Sequence, residues 1–248
     1  MSLVNFRNKH LEVGLFSPSD YVKYKKFPNN LPKKYIITYQ TKALNYFLRK
    51  YKGKYKKVKL YSLLTVYVYK DIGFVKMSGI GAPNAVAVFE ELIALGGKEF
   101  LNIGTAGGLH HEGIFLCKKA LRDEGTSYHY LPKGLYSFPD EKLTNKFGKY
   151  IGKGGLEFFE GVTWTIDAPY RETKAEIEKY VKQGISTVEM EASALFAVAK
   201  FRKVNIASAF VVSDLLGKKW LPKFHRFDVR RAQNRLIDIG IKCLRNER

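Results

Sequence analysis

A glycine-rich turn, Gly79-Ile-Gly-Ala-Pro-Asn84, constrains this chain more than any other segment. It follows an apolar stretch, Ile72 to Met77, and precedes a run with Ala85, Val88, Phe89 and Leu92 at helical spacing. Pro83 suits a first helical turn, where a missing N–H costs nothing, and Gly96-Gly97 ends the run. The spacing thus predicts strand, tight turn and helix in succession. Phe100-Leu-Asn-Ile-Gly-Thr-Ala-Gly-Gly-Leu109 then reads as a strand running into a second glycine-rich loop. Glycines such as Gly104 let backbone N–H groups approach an anion or a sugar, and the Thr105 hydroxyl can join them. Tight packing explains such glycines equally well.

Elsewhere Tyr35 to Tyr39 reads as a short buried strand, and Thr41 to Tyr51 as a helix with Leu44, Phe47 and Leu48 on one face. Leu60 to Val68 and Ile72 to Met77 form two strands about the turn Tyr69-Lys-Asp71. Arg122 to Tyr130 is a polar strand-end loop, and Phe227 to Leu244 a closing amphipathic helix. Strands alternating with helices define an α/β sandwich. With 248 residues, 46% of them hydrophobic, and no long linker, one domain over 1–248 is expected.

Forty-three basic against 23 acidic residues leave a net charge of +20, which attracts anions. The basic residues are spread along the chain, densest in Tyr51 to Lys59, without a zinc-finger spacing, an RNA-recognition aromatic motif or a helix-turn-helix. A solvated lysine-rich surface and an anionic small substrate account for them better than nucleic acid. No run of about 18 apolar residues exists, and Met1 to His10 lacks the apolar core of a leader, so a soluble, cytoplasmic protein without membrane contact is expected. Cys117 and Cys243 lack metal-ligand spacing and fit buried thiols in a reduced compartment.

Three acids stand at element ends, where α/β folds collect ligand-binding groups. Glu189 and Glu191 open an apolar helix, and Asp214 closes an apolar strand that begins near Ile206.

Together, Gly79-Ile-Gly-Ala-Pro, Asn102-Ile-Gly-Thr-Ala-Gly-Gly, Arg122-Asp-Glu-Gly-Thr-Ser, Asp167-Ala-Pro-Tyr-Arg-Glu-Thr173, Val188-Glu-Met-Glu-Ala and Val212-Ser-Asp214 resemble, in order, the motifs of the nucleoside phosphorylase/uridine phosphorylase superfamily, which also holds nucleosidases. The resemblance implies a three-layer α/β/α sandwich around a mixed central sheet. It also implies cleavage of a nucleoside's N-glycosidic bond by phosphate, with phosphate as co-substrate and neither metal nor organic cofactor.

By the same resemblance, Glu191 accepts from the ribose 2′- and 3′-hydroxyls and Met190 lies along sugar and base; alternation points Glu189 elsewhere, which makes it structural. Asp214 matches the general acid of purine-specific members, while Arg122 to His129 looks closer to the uridine enzymes. Pro169 stands where a base-stacking Phe is usual, which passes stacking to Tyr170 or Trp164, and Arg171 could read a base carbonyl. His10 matches a histidine that reaches a neighbouring subunit's ribose 5′-hydroxyl, which implies a homodimer or a hexamer of dimers.

The phosphate half departs from the pattern. Ile37-Thr-Tyr-Gln-Thr-Lys42 has neither the glycine nor the arginine of the Gly-Asp-Pro-x-Arg loop, and Asn102 replaces a second arginine. Gly104, Thr105, Asn102 and Lys42 are left to hold phosphate. Hydrolysis competes, as does nucleoside binding without turnover, although the glutamate cluster and arginine of the nucleosidases are also missing. The charge of +20 and the absent water-activating acid favour phosphorolysis.

Overall fold

The computed structural model describes residues 8–28, 30–61, 64–217 and 219–247. Residues 1–7 of the segment read for a leader, and 62–63 within the strand expected over Leu60 to Val68, lie outside them. The chain runs α1 (Pro18–Tyr24), β1 (Lys34–Thr38), α2 (Thr41–Lys50), β2 (Tyr55–Tyr61), β3 (Leu64–Tyr69), β4 (Ile72–Lys76), α3 (Ala82–Ala94), β5 (Glu99–Gly108) and β6 (Ile114–Asp123). It continues through β7 (Tyr136–Ser137), α4 (Glu141–Lys153), β8 (Phe159–Ile166), α5 (Lys174–Lys182), β9 (Ile185–Glu189), α6 (Ala192–Arg202), β10 (Asn205–Leu216), β11 (Trp220–Pro222) and α7 (Phe227–Arg245).

The architecture is a mixed sheet between two helical layers. Val22 of α1, Phe89 of α3 and Phe196 of α6 bury against one face of the sheet. Phe47 of α2, Phe147 of α4 and Leu236 of α7 bury against the other, where Phe47 stacks on Phe74 of β4 at 4.2 Å between ring centres. A fully buried Phe contributes about 1.5–3 kcal/mol, so each layer is held by its apolar face rather than by helix propensity. Ile177 and Tyr180 of α5 cover a smaller cluster around Trp164 and Ile185.

Parallel pairing joins β4, β1, β5 and β10, which sends their carboxyl ends to one side of the molecule. Beyond β5 the sheet closes on itself: β5 pairs with β10 and β9, β10 with β6, β6 with β8, and β8 with β9. That ring of five strands brings the ends of β5, β9 and β10 against one another.

Two expectations need correction. The strand expected over Leu60 to Val68 is split: β2 ends at Tyr61, β3 begins at Leu64, and the two pair antiparallel. The lysine-rich stretch supplies β2 itself, with Lys56, Lys57 and Lys59 exposed. Lysines on a sheet edge discourage pairing with other chains, and they interrupt the apolar alternation that would have announced a strand. Gly104, Gly107 and Gly108 lie inside β5 rather than in a loop after it. A Cβ on Gly107 would overlap Leu216, and one on Gly108 would sit 2.9 Å from Leu215, so these glycines admit the close approach of β10.

Candidate active site

The carboxyl ends of β1, β5 and β10 meet the end of β9 and the loops after β4 and β8 around a cavity of about 630 Å³, within the range of small-molecule sites. Such a crevice, outside the carboxyl ends of parallel strands, is where open α/β sheets bind ligands.

Its floor is built around the amino terminus of α6. Glu189 Oε2 accepts from the N–H groups of Glu191 and Ala192 at 2.8 and 2.7 Å, and its Oε1 accepts from the Thr165 hydroxyl at 2.6 Å. The Thr165 oxygen in turn accepts from the Ser193 N–H at 3.0 Å. Glu189 therefore satisfies amides that a helix start leaves open. Glu191 Oε1 accepts from the Gly81 N–H at 2.6 Å. Gly81 has φ +95°, a conformation in which side-chain-bearing residues are strained, and this turns its N–H toward the acid. Both glutamates hold protons more tightly than ordinary carboxyls, because burial penalises their charge and, at Glu189, Glu191 repels it. Met190 lies between them on the cavity wall.

Asp214 lines the cavity from the end of β10. Its Oδ1 accepts from the Ser213 hydroxyl at 2.9 Å and its Oδ2 from Trp220 Nε1 at 2.8 Å. Trp220 and Phe224, 6.2 Å apart between ring centres, line the mouth with Ile80 and the exposed Tyr170. Glu172 lines the same cavity and binds its proton up to about 7, through burial first and then the charges of Asp214 and Glu176.

The third side is neutral. Gln233 Nε2 donates to Gln40 Oε1 at 2.6 Å, and Gln40 Nε2 donates to Thr105 Oγ1 at 2.9 Å. Tyr39 packs beside them, its hydroxyl buried without a partner among the described residues; burial, then Glu191 and Glu189, hold that phenol's pKa well above the usual range.

The cavity thus gathers Glu191, Met190, Asp214, Tyr170 and Thr105. Other expected residues stand elsewhere. Gly104 lies under the Tyr39 ring. Asn102 is buried within the sheet, donating to Ser208 Oγ at 3.1 Å. Lys42, exposed on the first turn of α2, points to His225 Nδ1 at 3.2 Å. Trp164 is fully buried; strand alternation turns its indole away from the cavity, onto Tyr180 and toward Asp123, whose carboxylate accepts its Nε1–H at 2.9 Å. Arg171 is exposed off the cavity wall, and His10 sits in a short turn, Lys9–Leu11, that packs against the turn Thr126–His129. Arg122 is spent inside its own loop, donating to Ser127 and to the Pro132 carbonyl.

Sequence reasoning missed Glu172, Trp220, Phe224 and Gln233. The signals were an acid inside the Asp167 to Thr173 motif and two aromatics in the otherwise basic segment after Asp214.

The model of the phosphorylase superfamily matches residues 42–245, which include the ends of β4, β5, β8, β9 and β10 at the cavity but not that of β1. The chain belongs to this superfamily. Among curated relatives it is similar to a purine nucleoside phosphorylase of Plasmodium vivax, 26% identical over 61% of this chain and 65% of that protein. It is also similar to a guanosine phosphorylase of Halorubrum lacusprofundi, 29% identical over 55% and 58%. A uridine phosphorylase of Treponema pallidum is 28% identical over 56% and 59%. The chain thus spans about three fifths of these relatives' lengths. Two solved structures share the fold: an AMP nucleosidase of Bacteroides thetaiotaomicron, TM-score 0.76 at 20% identity over 93% of this chain and 100% of that one, and a purine nucleoside phosphorylase of Toxoplasma gondii, TM-score 0.77 at 18% identity over 90% and 92%. The fold and the superfamily expected from the motifs are thereby met. Among the described residues no helix is long and apolar enough to cross a membrane.

Proposed function

We propose that this phosphorylase-superfamily chain cleaves the N-glycosidic bond of a ribonucleoside, a purine nucleoside by preference. The observation that carries the reading is the placement of Glu191 and Asp214 in one cavity, after and on the two strands that pair with the end of β5, with Met190 beside the first and aromatic rings at the mouth. Glu191 has one oxygen on the Gly81 N–H and keeps acceptor capacity for the ribose diol. As the glycosidic bond breaks, the sugar becomes cation-like, and carboxylates beside it stabilise that charge. Tyr170, Trp220 and Phe224 offer faces for a base, and Asp214 stands where a ring nitrogen would be met.

Phosphate is the acceptor expected from the motifs, and relatives named phosphorylases support it. Thr105 and Gln40 are polar groups for holding it. A second reading, water, is favoured by the lining itself, whose ionisable side chains are Glu172, Glu189, Glu191, Asp214 and the phenols of Tyr39 and Tyr170, with no Lys, Arg or His among the described residues. A phosphate dianion next to carboxylates is repelled unless a cation enters from a neighbouring subunit, whereas water carries no such cost.

Purified protein incubated with inosine, adenosine and uridine, with and without phosphate, tests both readings through release of free base. Release that requires phosphate supports phosphorolysis. Release in its absence supports hydrolysis, and no release from any nucleoside sinks the glycosidic reading.

A further inference from the structure

Asp214 is a poor sole source of the proton that the departing base needs. The Trp220 indole is a donor only, so the Oδ2 that meets it acts as an acceptor, and the Ser213 hydroxyl is directed at Oδ1. Glu172 is arranged in the opposite way. It ends the turn Pro169–Arg171 and directly precedes Thr173, whose hydroxyl accepts from the Glu176 N–H at the start of α5. Its backbone is thereby held between two ordered turns, and its carboxyl faces the cavity with no hydrogen-bond donor from any described residue. Two carboxyls that share one cavity avoid being ionised together, and the one lacking donors is the one that keeps a proton.

Resting on the glycosidic reading above, we propose that Glu172 is a second catalytic carboxyl: it donates the proton to the leaving base, with Asp214 as the acceptor that orients the base beside it. The C1′–N bond breaks and its electron pair goes to the base nitrogen, which takes the Glu172 proton. The acceptor, water or phosphate, bonds to C1′ and gives up a proton that restores Glu172. The charged groups facing Glu172 are Asp214 from β10 and Glu176 from α5. Both are acidic, so both keep the proton on Glu172 at neutral pH, where its affinity, pushed up to about 7, suits transfer.

The test compares wild type, Glu172→Gln and Glu172→Asp on inosine and on a nitrophenyl riboside, whose leaving group needs no proton. Glu172→Gln is expected to lower kcat on inosine by about 100-fold, to abolish the decline of kcat above neutral pH, and to leave nitrophenyl riboside cleavage within about threefold of wild type. Glu172→Asp is expected to restore part of the inosine rate together with that decline. Wild-type turnover with an unchanged rate and pH profile in Glu172→Gln, or equal losses on both substrates, would overturn this inference alone. Wild-type protein that cleaves neither substrate would overturn the glycosidic reading with it.

Discussion

The Gly81 N–H donates to Glu191 Oε1 at 2.6 Å across 110 positions of chain, joining the glycine turn before α3 to the residue that caps the start of α6. This single bond couples backbone conformation at one strand end to the orientation of an acid at another. Gly81 has φ +95° and ψ 149°, a region essentially closed to other residues. Gly81→Ala is therefore expected to cost about 1–3 kcal/mol and to release the Glu191 carboxylate from its position. Thermal unfolding should show Tm lower by roughly 3–10 °C, and ribonucleoside affinity should weaken with it.

Removing the acids themselves separates sugar from base. Glu191→Ala is expected to lower kcat/KM on every ribonucleoside cleaved, by about 100-fold or more, because the diol loses its acceptor and the cation-like sugar its countercharge. Asp214→Asn is expected to depress purine nucleosides far more than uridine, since the imidazole-ring N–H that forms as a purine base takes its proton, and from which the Asp214 carboxylate accepts, has no counterpart in uracil. Steady-state kinetics on inosine and uridine check both; equal losses on the two bases in Asp214→Asn would remove Asp214 from base recognition.

Stability should fall as pH rises from about 5 to 8. Glu172, Glu189 and Glu191 all bind protons more tightly in the fold than the free-carboxyl value of 4.5. Between that value and their folded values the native state holds more protons than the unfolded chain, so the slope of unfolding free energy with pH is negative. Their contribution is complete below about 4.5 and is lost as pH passes through about 7 at Glu172 and Glu191 and about 8 at Glu189. Asp20 and Asp71, held below the ordinary value by hydrogen bonds from Ser17 and Arg245, act only in the acid range beneath this window. Thermal melts across pH 5–8 should show a declining Tm in the wild type and a flatter profile in Glu189→Gln.

Trp220 offers an optical readout. It is one of two tryptophans, and Trp164 is fully buried away from the cavity. Nucleoside binding should quench or shift fluorescence in the wild type but not in Trp220→Phe. The same substitution strips Asp214 Oδ2 of its donor, so a several-fold loss of purine turnover with Tm unchanged within about 2 °C is expected.

The half of the cavity that holds Glu191, Met190 and Asp214 was legible because each residue is placed by its own short segment: a strand end, a helix start, a Ser-Asp pair. The neutral side was not. Lys42 and Asn102 stand near it in sequence, yet the turn of α2 carries Lys42 to His225, and strand alternation buries Asn102 against Ser208. Gln233, which holds Gln40, comes from α7, 193 positions away, and no local pattern marks it. Glu172 was visible inside a motif, but its exposure to Asp214 depends on how the loop after β8 folds over the end of β10.

The amino-acid order by itself determined the alternation of strands and helices, the apolar faces that make the two helical layers, and the motif series that places the chain in the phosphorylase superfamily. These are local properties: periodicity, turn chemistry and residue type at fixed spacing. Tertiary structure alone decided which charges share a cavity. Closure of β5, β6, β8, β9 and β10 into a ring brings four carboxyls together and leaves the described lysines off the cavity lining. Burial then raises proton affinity at three of the acids, and burial depends on neighbours that lie distant in the chain.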